Sequence, residues 1–292
     1  MISAAESSYI IRPSWYLVLF VMLTMLLYAP TFMELALLWA GNEDYNHGFL
    51  IIPVSAYLVW RRRRQLMRLP LHSSPLGIVF LALWTAFYLL GTGAQILMFE
   101  CCSLILFLLG TLLFTAGVHF TRAVLFPVMF SIFMLPVPAE VYTLLTSPLQ
   151  AVTTGLSAHI LNLIDIPVLR EGNLIHLPNY SMQVAVACSG IRSLISIITL
   201  SLLMGYLLFS SNVERGLLIL LSVPVAMIGN ILRITTAGLI VYRFSPGFAE
   251  GYSHTLAGMV TFSFAFVFLL GGVFLVRWIE RKRMQYISWF LR

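Results

Sequence analysis

The stretch GLLILLSVPVAMIGNILRITTAGLIV, residues 216–241, decides the fold class of this chain. Its only charged residue is Arg233, and a membrane-spanning helix needs about 20 consecutive apolar residues. The stretch therefore predicts a transmembrane helix. The whole chain has the same character, since 60% of its 292 residues are hydrophobic and 10% are charged. This composition is typical of a polytopic membrane protein.

Apolar runs of this kind recur along the chain and predict about eight transmembrane helices. The predicted spans are residues 14–38, 47–60, 75–93, 96–117, 120–138, 189–210, 216–241 and 254–276. The predicted fold is an all-α polytopic membrane protein that forms a single integral membrane domain over residues 1–292. The first run is longer than the apolar core of a signal peptide and lacks a small-residue cleavage pattern, so we expect it to remain as a span.

The basic residues outside the spans predict the orientation of the chain. One group falls on a single side if the spans alternate from a cytoplasmic N-terminus: Arg12, Arg61, Arg62, Arg63, Arg64, Arg68, Arg122, Arg215, Arg277, Arg281, Lys282, Arg283 and Arg292. Only Arg170 and Arg243 fall on the other side, which is the positive-inside pattern with both termini cytoplasmic. The net charge of +6 thus reflects topology, and nucleic-acid binding is excluded as a function class.

Residues 139–187 predict a small extracytoplasmic cap inserted before the sixth span. Its first part, AEVYTLLTSPLQAVTTGLSAHILNLIDI, has apolar residues at mixed spacings of three and four and predicts an amphipathic helix along the membrane face. Its second part, PVLREGNLIHLPNYSMQVAVA, alternates and contains Gly172-Asn173 and Pro178-Asn179. This pattern is typical of short β-strands joined by turns.

The cap leads directly into Cys188, the first candidate catalytic residue. Cys188 lies at the predicted N-terminus of the sixth span, where the helix dipole and open N–H groups stabilise a thiolate. Arg192 follows one turn later on the same face. The simpler interpretation is a small buried thiol beside a snorkelling arginine, and this pair alone does not decide between the two.

Three further candidates lie on the next two spans. Arg233 is predicted on the order of 12 Å below the outer end of its helix, where a charge must face protein or a polar cavity. Asn230 shares its face, and His254 opens the eighth span one turn before Gly258. A structural ion pair for Arg233 and an interfacial role for His254 are the alternatives.

Cys188, Arg192, Arg233 and His254 are all predicted in the outer half of the membrane. A thiol, an imidazole and a guanidinium at one depth favour nucleophilic attack on an acyl group, with His254 as general acid and base. Arg233 would stabilise the oxyanion or the thiolate. The histidines lie at no metal-ligand spacing, so we expect neither a metal nor a cofactor.

Six ordered motifs resemble the exosortases, membrane enzymes related to the archaeosortases. They are EDYNHGFLIIPVSAYLVWRRR (43–63), LPVPAEVYTLLTSPLQ (135–150), IPVLREGNLIHLP (166–178), VACSGIRSL (186–194), NILRI (230–234) and HTLAGMVTF (254–262). The resemblance implies a cysteine transpeptidase or endopeptidase with Cys188 as nucleophile and Arg233 and His254 at the other two signature positions.

The resemblance also implies the partners and the location of the protein. The substrates would be exported proteins with a C-terminal tail made of a Pro-Glu-Pro motif, a hydrophobic helix and a basic cluster. The protein would lie in the bacterial inner membrane with its site facing the periplasm, in a cell that makes extracellular polysaccharide. The substrate glutamate leads to the hypothesis that Arg170 or Arg192 binds it, which charge-swap variants would test.

The alternative function is a transporter or assembly component for exopolysaccharide, in which Arg233 and Asn230 line a polar path. That function predicts inverted repeats or broken helices in matching halves, and the sequence shows neither. It also gives no role to Cys188.

Overall fold

A computed structural model of the protein describes residues 15–42, 44–178, 180–183, 191–244 and 252–290. The helices within these ranges are α1 (Trp15–Leu27), α2 (Ala29–Gly41), α3 (Gly48–Arg61), α4 (Arg63–Leu66), α5 (Leu76–Ala94), α6 (Leu97–Thr115), α7 (Gly117–Phe130), a 3₁₀ turn (Ser131–Met134), α8 (Ala139–Leu163), α9 (Ile191–Leu208), α10 (Asn212–Arg243) and α11 (Tyr252–Phe290). The strands are β1 (Leu169–Glu171), β2 (Leu174–Leu177) and β3 (Tyr180–Gln183).

Five helices within these ranges are long and apolar enough to cross a membrane. They are Leu76–Ala94, Leu97–Thr115, Gly117–Met134, Asn212–Arg243 and the Gly258–Lys282 part of α11. A sixth span is present if α1 and α2, which are bent by 64°, cross together. The apolar helices Gly48–Arg61 and Leu194–Leu208 are shorter. The multi-pass helical fold is confirmed, whereas the predicted count of eight spans is not.

The predicted first span, 14–38, is broken at Tyr28. Pro30 lies in the first turn of α2, where it cannot donate a backbone hydrogen bond and so favours a new helix start. The Tyr28 side chain is completely buried, and its hydroxyl accepts a 2.8 Å bond from Trp84 Nε1 and lies 2.7 Å from Ser103 Oγ. Hydrogen bonds to α5 and α6 therefore hold the bend.

The chain divides into two compact units, Met1–Pro138 and Ala139–Arg292. In the first unit, α5 and α6 pack closely because Gly77 leaves room for the α6 backbone. A Cβ at Gly77 would lie 2.5 Å from the Phe114 nitrogen. The boundary between the two units falls where the predicted cap begins. The sequence prediction of a single integral membrane domain stays a prediction.

Arg62, one of the basic residues that directly follow α3, completes the hydrogen bonding of α7. Pro127 lies inside that helix and has no N–H, so it leaves the carbonyl of Ala123 without its normal helical donor. Arg62 Nη1 donates a 2.8 Å bond to that oxygen. Arg62 thus has a structural role in addition to its predicted topological one.

The second unit is built around α10. Its core joins α9, α10 and α11 through the completely buried Ile197, Leu218, Leu269 and Val276. A capping box at Ser211 starts α10 directly after α9, so the two helices form a tight antiparallel hairpin.

Helix α8 and a three-stranded antiparallel sheet, in the order β1-β2-β3, complete the second unit. The predicted succession of a helix and short strands over residues 139–187 is confirmed for the described residues. A hydrophobic cluster packs α8 and the sheet against α10: Ala158, Leu161, Ile166, Ile175, Leu177, Ile234 and Val241. The extracytoplasmic position of this region stays a prediction.

Candidate functional site

Arg233 and Asn230 are both buried on α10, at 8% and 2% exposure. Arg233 lies ten residues before Arg243, the last residue of the helix, which is about 15 Å along its axis. This burial agrees with the sequence prediction that Arg233 faces protein or a polar cavity and that Asn230 shares its helix face. Asn230 Nδ2 donates a 3.3 Å bond to Thr153 Oγ1 on α8, so a polar contact joins the two helices beside Arg233.

Helix α8 presents a row of polar side chains to the interior. Gln150, Thr153, Thr154 and Ser157 are exposed by 6% or less, and their spacing of three and four puts them on one helix face. Ser157 Oγ donates to the Ile231 carbonyl at 3.3 Å, which places this face against α10.

The opposite face of α8 is apolar and exposed. Val152, Leu156, Ile160 and Leu163 are exposed by 47%, 46%, 36% and 68%. A helix that buries hydroxyls and exposes aliphatic side chains is the reverse of a helix at the surface of a soluble domain, and it suits a lipid-facing position. The sequence prediction was an amphipathic helix along the membrane face, and it did not include the packing of the polar side on α10.

The contacts between α8 and α10 advance in the same direction along both helices. Thr153 meets Asn230, Ser157 meets Ile231, and a Cβ at Gly238 would lie 2.8 Å from the Leu161 side chain. The second half of α8 therefore runs parallel to the C-terminal half of α10. The sequence analysis does not identify Thr153, Thr154 and Ser157, although their helical spacing opposite an aliphatic stripe is a usable signal.

Arg170, on β1, is exposed, and one hydrogen bond and its position beside α8 orient its guanidinium. Its Nε donates a 2.8 Å bond to the carbonyl of Gly172 in the following turn. Its Nη1 lies against Gly155 of α8, where a Cβ would come within 2.6 Å. The guanidinium has no carboxylate partner among the described residues. It is a preorganised cation with donors available for an anionic group.

Cys188 lies outside the described residues, and the side chains of Arg192 and His254 do as well. Their predicted convergence with Arg233 therefore stays a prediction. The backbone of α9 begins at Ile191 and that of α11 at Tyr252, so Arg192 and His254 each lie in the first turn of a helix that packs on α10.

The lengths of the helices show how far along the α10 axis the first turns of α9 and α11 lie from Arg233. The α9–α10 hairpin is antiparallel, and Ile191 and Asn230 both lie about 27 Å from its turn, so they are level. On α11, Gly272 packs near Leu218 and Leu221, and His254 lies about 27 Å further back along that helix. This brings the His254 backbone to within roughly two turns of the level of Arg233.

No group of three His, Cys, Asp or Glu side chains that could hold a metal occurs within the ranges the structure describes. The expectation of no metal and no cofactor stays a prediction.

Comparison with known proteins assigns the chain to a family. The family model described as transmembrane exosortase matches residues 39–271, which include α3 to α10, Arg233 and the start of α11. The search of curated proteins and the search of solved structures give no match.

Proposed function

Since the chain belongs to the transmembrane exosortase family, we propose that it is a cysteine transpeptidase or endopeptidase acting at the membrane. The substrates are exported proteins that carry a C-terminal tail with a Pro-Glu-Pro motif, a hydrophobic helix and a basic cluster. The observation that carries the proposal is the buried polar pair of Asn230 and Arg233 on a helix long enough to span the membrane. A charged side chain within a membrane-spanning helix costs free energy, and residues of this kind typically have a function.

In this mechanism the thiolate of Cys188 attacks the carbonyl carbon of the scissile amide. His254 takes the thiol proton and returns it to the leaving amine when the C–N bond breaks. Arg233 stabilises the oxyanion of the tetrahedral intermediate. The product on the enzyme is a thioester, which water or another nucleophile then cleaves, and this second step regenerates the thiol.

The family and the charge pattern both support the proposed location. The protein lies in the bacterial inner membrane with both termini cytoplasmic and the site on the periplasmic side. A substrate tail whose basic cluster stays in the cytoplasm then presents its Pro-Glu-Pro segment at the level of this site.

Arg170 and Arg192 are the proposed contacts for the substrate carboxylate. Arg170 is supported by its geometry, because its hydrogen bond to Gly172 orients the guanidinium and the missing Cβ of Gly155 leaves room for it. A planar guanidinium binds a carboxylate through two parallel hydrogen bonds. Arg192 is supported only by its position on the first turn of α9.

Substitution of the nucleophile tests the proposed function. Cys188→Ala and Cys188→Ser are expected to abolish processing of a co-expressed reporter that carries the tail, with the enzyme present at its normal level. Cys102→Ala, a half-buried thiol on α6, is the matched control and should process normally. Normal processing by Cys188→Ala would exclude the mechanism.

A further inference from the structure

The polar face of α8 contains hydrogen-bonding groups that no residue in the described part of the chain pairs. Thr153 is satisfied, since its hydroxyl donates to the Leu149 carbonyl at 2.9 Å and accepts from Asn230. Thr154 Oγ1 and Asn230 Oδ1 are buried and have no hydrogen-bond partner among the described residues. Thr154 is 0% exposed and Asn230 is 2% exposed.

Leaving such atoms unpaired is costly. A buried donor or acceptor without a partner costs about 1–3 kcal/mol, and buried polar groups in folded proteins are nearly always paired. Thr154 could have bonded back to its own helix, as Thr153 does, yet it does not. Asn230 lies where α8 packs on α10 and is one turn from Arg233, and Thr154 is the neighbour of Thr153, which bonds to Asn230.

The membrane setting defines what these atoms can bind. The other face of α8 is an aliphatic stripe, so the polar face is the one turned from lipid. An extended peptide at this depth cannot pair its main chain with water, and each of its N–H and C=O groups needs a partner supplied by protein. A peptide must be extended, with its helical hydrogen bonds open, for a thiolate to reach an amide carbonyl.

We propose that the face formed by Thr154 and Asn230 binds the main chain of an extended peptide substrate. Asn230 Oδ1 accepts a hydrogen bond from a substrate N–H, and the Thr154 hydroxyl donates to a neighbouring substrate carbonyl. The inference rests on the proposed function and makes α8 a wall of the substrate site. Because the contacts are to main chain, the requirement for Thr154 is independent of the side chains beside the scissile bond.

Substrate capture on the inactive enzyme tests this role directly. In the full-length Cys188→Ala protein, we measure how much tail-bearing reporter co-purifies at matched enzyme and reporter levels. Adding Thr154→Val keeps the side-chain shape and removes the hydroxyl, and we expect capture to fall about three- to tenfold, the range of one lost hydrogen bond. Thr154→Ala should act in the same way, and Thr154→Ser should restore capture.

The control separates binding from a general effect on the fold. Thr121→Val makes the same change at a buried threonine on α7, whose hydroxyl is already bonded to the Gly117 carbonyl, and should leave capture unchanged. Equal capture by Thr154→Val and its parent, or an equal fall in Thr121→Val, would overturn the inference. Neither of these capture results would affect the proposed function, which depends on the loss of processing in Cys188→Ala. Processing by an enzyme without Cys188 would refute the proposed function itself.

Discussion

Substitution of Gly155 should lower activity while raising stability. Gly155 lies inside α8, and an alanine Cβ there would be 2.6 Å from Arg170 Nη1. Ordinary contact needs 3.4 Å, so the guanidinium must move by about 0.8 Å or more. It is the flexible end of an exposed side chain, so this movement costs the fold little. The movement also strains the bond from Arg170 Nε to Gly172.

The two expected effects have opposite signs. Replacing a glycine in a helix interior by alanine stabilises by roughly 0.5–1 kcal/mol through backbone entropy. An exposed guanidinium–carboxylate pair contributes about 0.2–1 kcal/mol, so its loss weakens substrate use by up to about fivefold. If Arg170 is the affected group, Gly155→Ala combined with Arg170→Gln should process no worse than Arg170→Gln alone.

The assay compares processing of the tail-bearing reporter with thermal unfolding of the purified enzyme in detergent. Gly216→Ala is the matched control, because a Cβ at this helical glycine of α10 meets open space. It should raise stability slightly and leave processing unchanged. Normal processing by both Gly155→Ala and Arg170→Gln would refute the role of Arg170 in substrate binding, and additive losses in the double variant would show that Gly155 acts through another group.

One further prediction concerns the first unit. Arg62→Ala should lower stability by about 1–3 kcal/mol, since it leaves a carbonyl unpaired, and Pro127→Ala should suppress that loss by supplying the missing N–H. Thermal unfolding measures the stability of both variants, with Arg64→Ala as the control. If Arg62→Ala lowers stability equally in the presence of Pro127 and of Pro127→Ala, the explanation is contradicted.

Much of the fold and part of the site could be predicted from sequence. Apolar runs predict where helices lie, because the length of a span is fixed by bilayer thickness. The buried state of Arg233 and Asn230 also follows from sequence, since a cation within such a run must avoid lipid. The break at Tyr28 did not follow, because the bend depends on hydrogen bonds from α5 and α6 as well as on Pro30.

The position of α8 marks the limit of the sequence by itself. Its residues determined a helix with one polar and one apolar face, and the periodicity was sufficient for that. Which face is buried depends on the surroundings. In water the polar face is exposed and the apolar face is buried, whereas in lipid the apolar face is exposed and the polar face packs against protein. Only the tertiary structure, in which Thr153 and Ser157 bond to α10, decided that the hydroxyls face the interior. The same packing brought Gly155 beneath Arg170, a pairing between distant positions that no local pattern encodes.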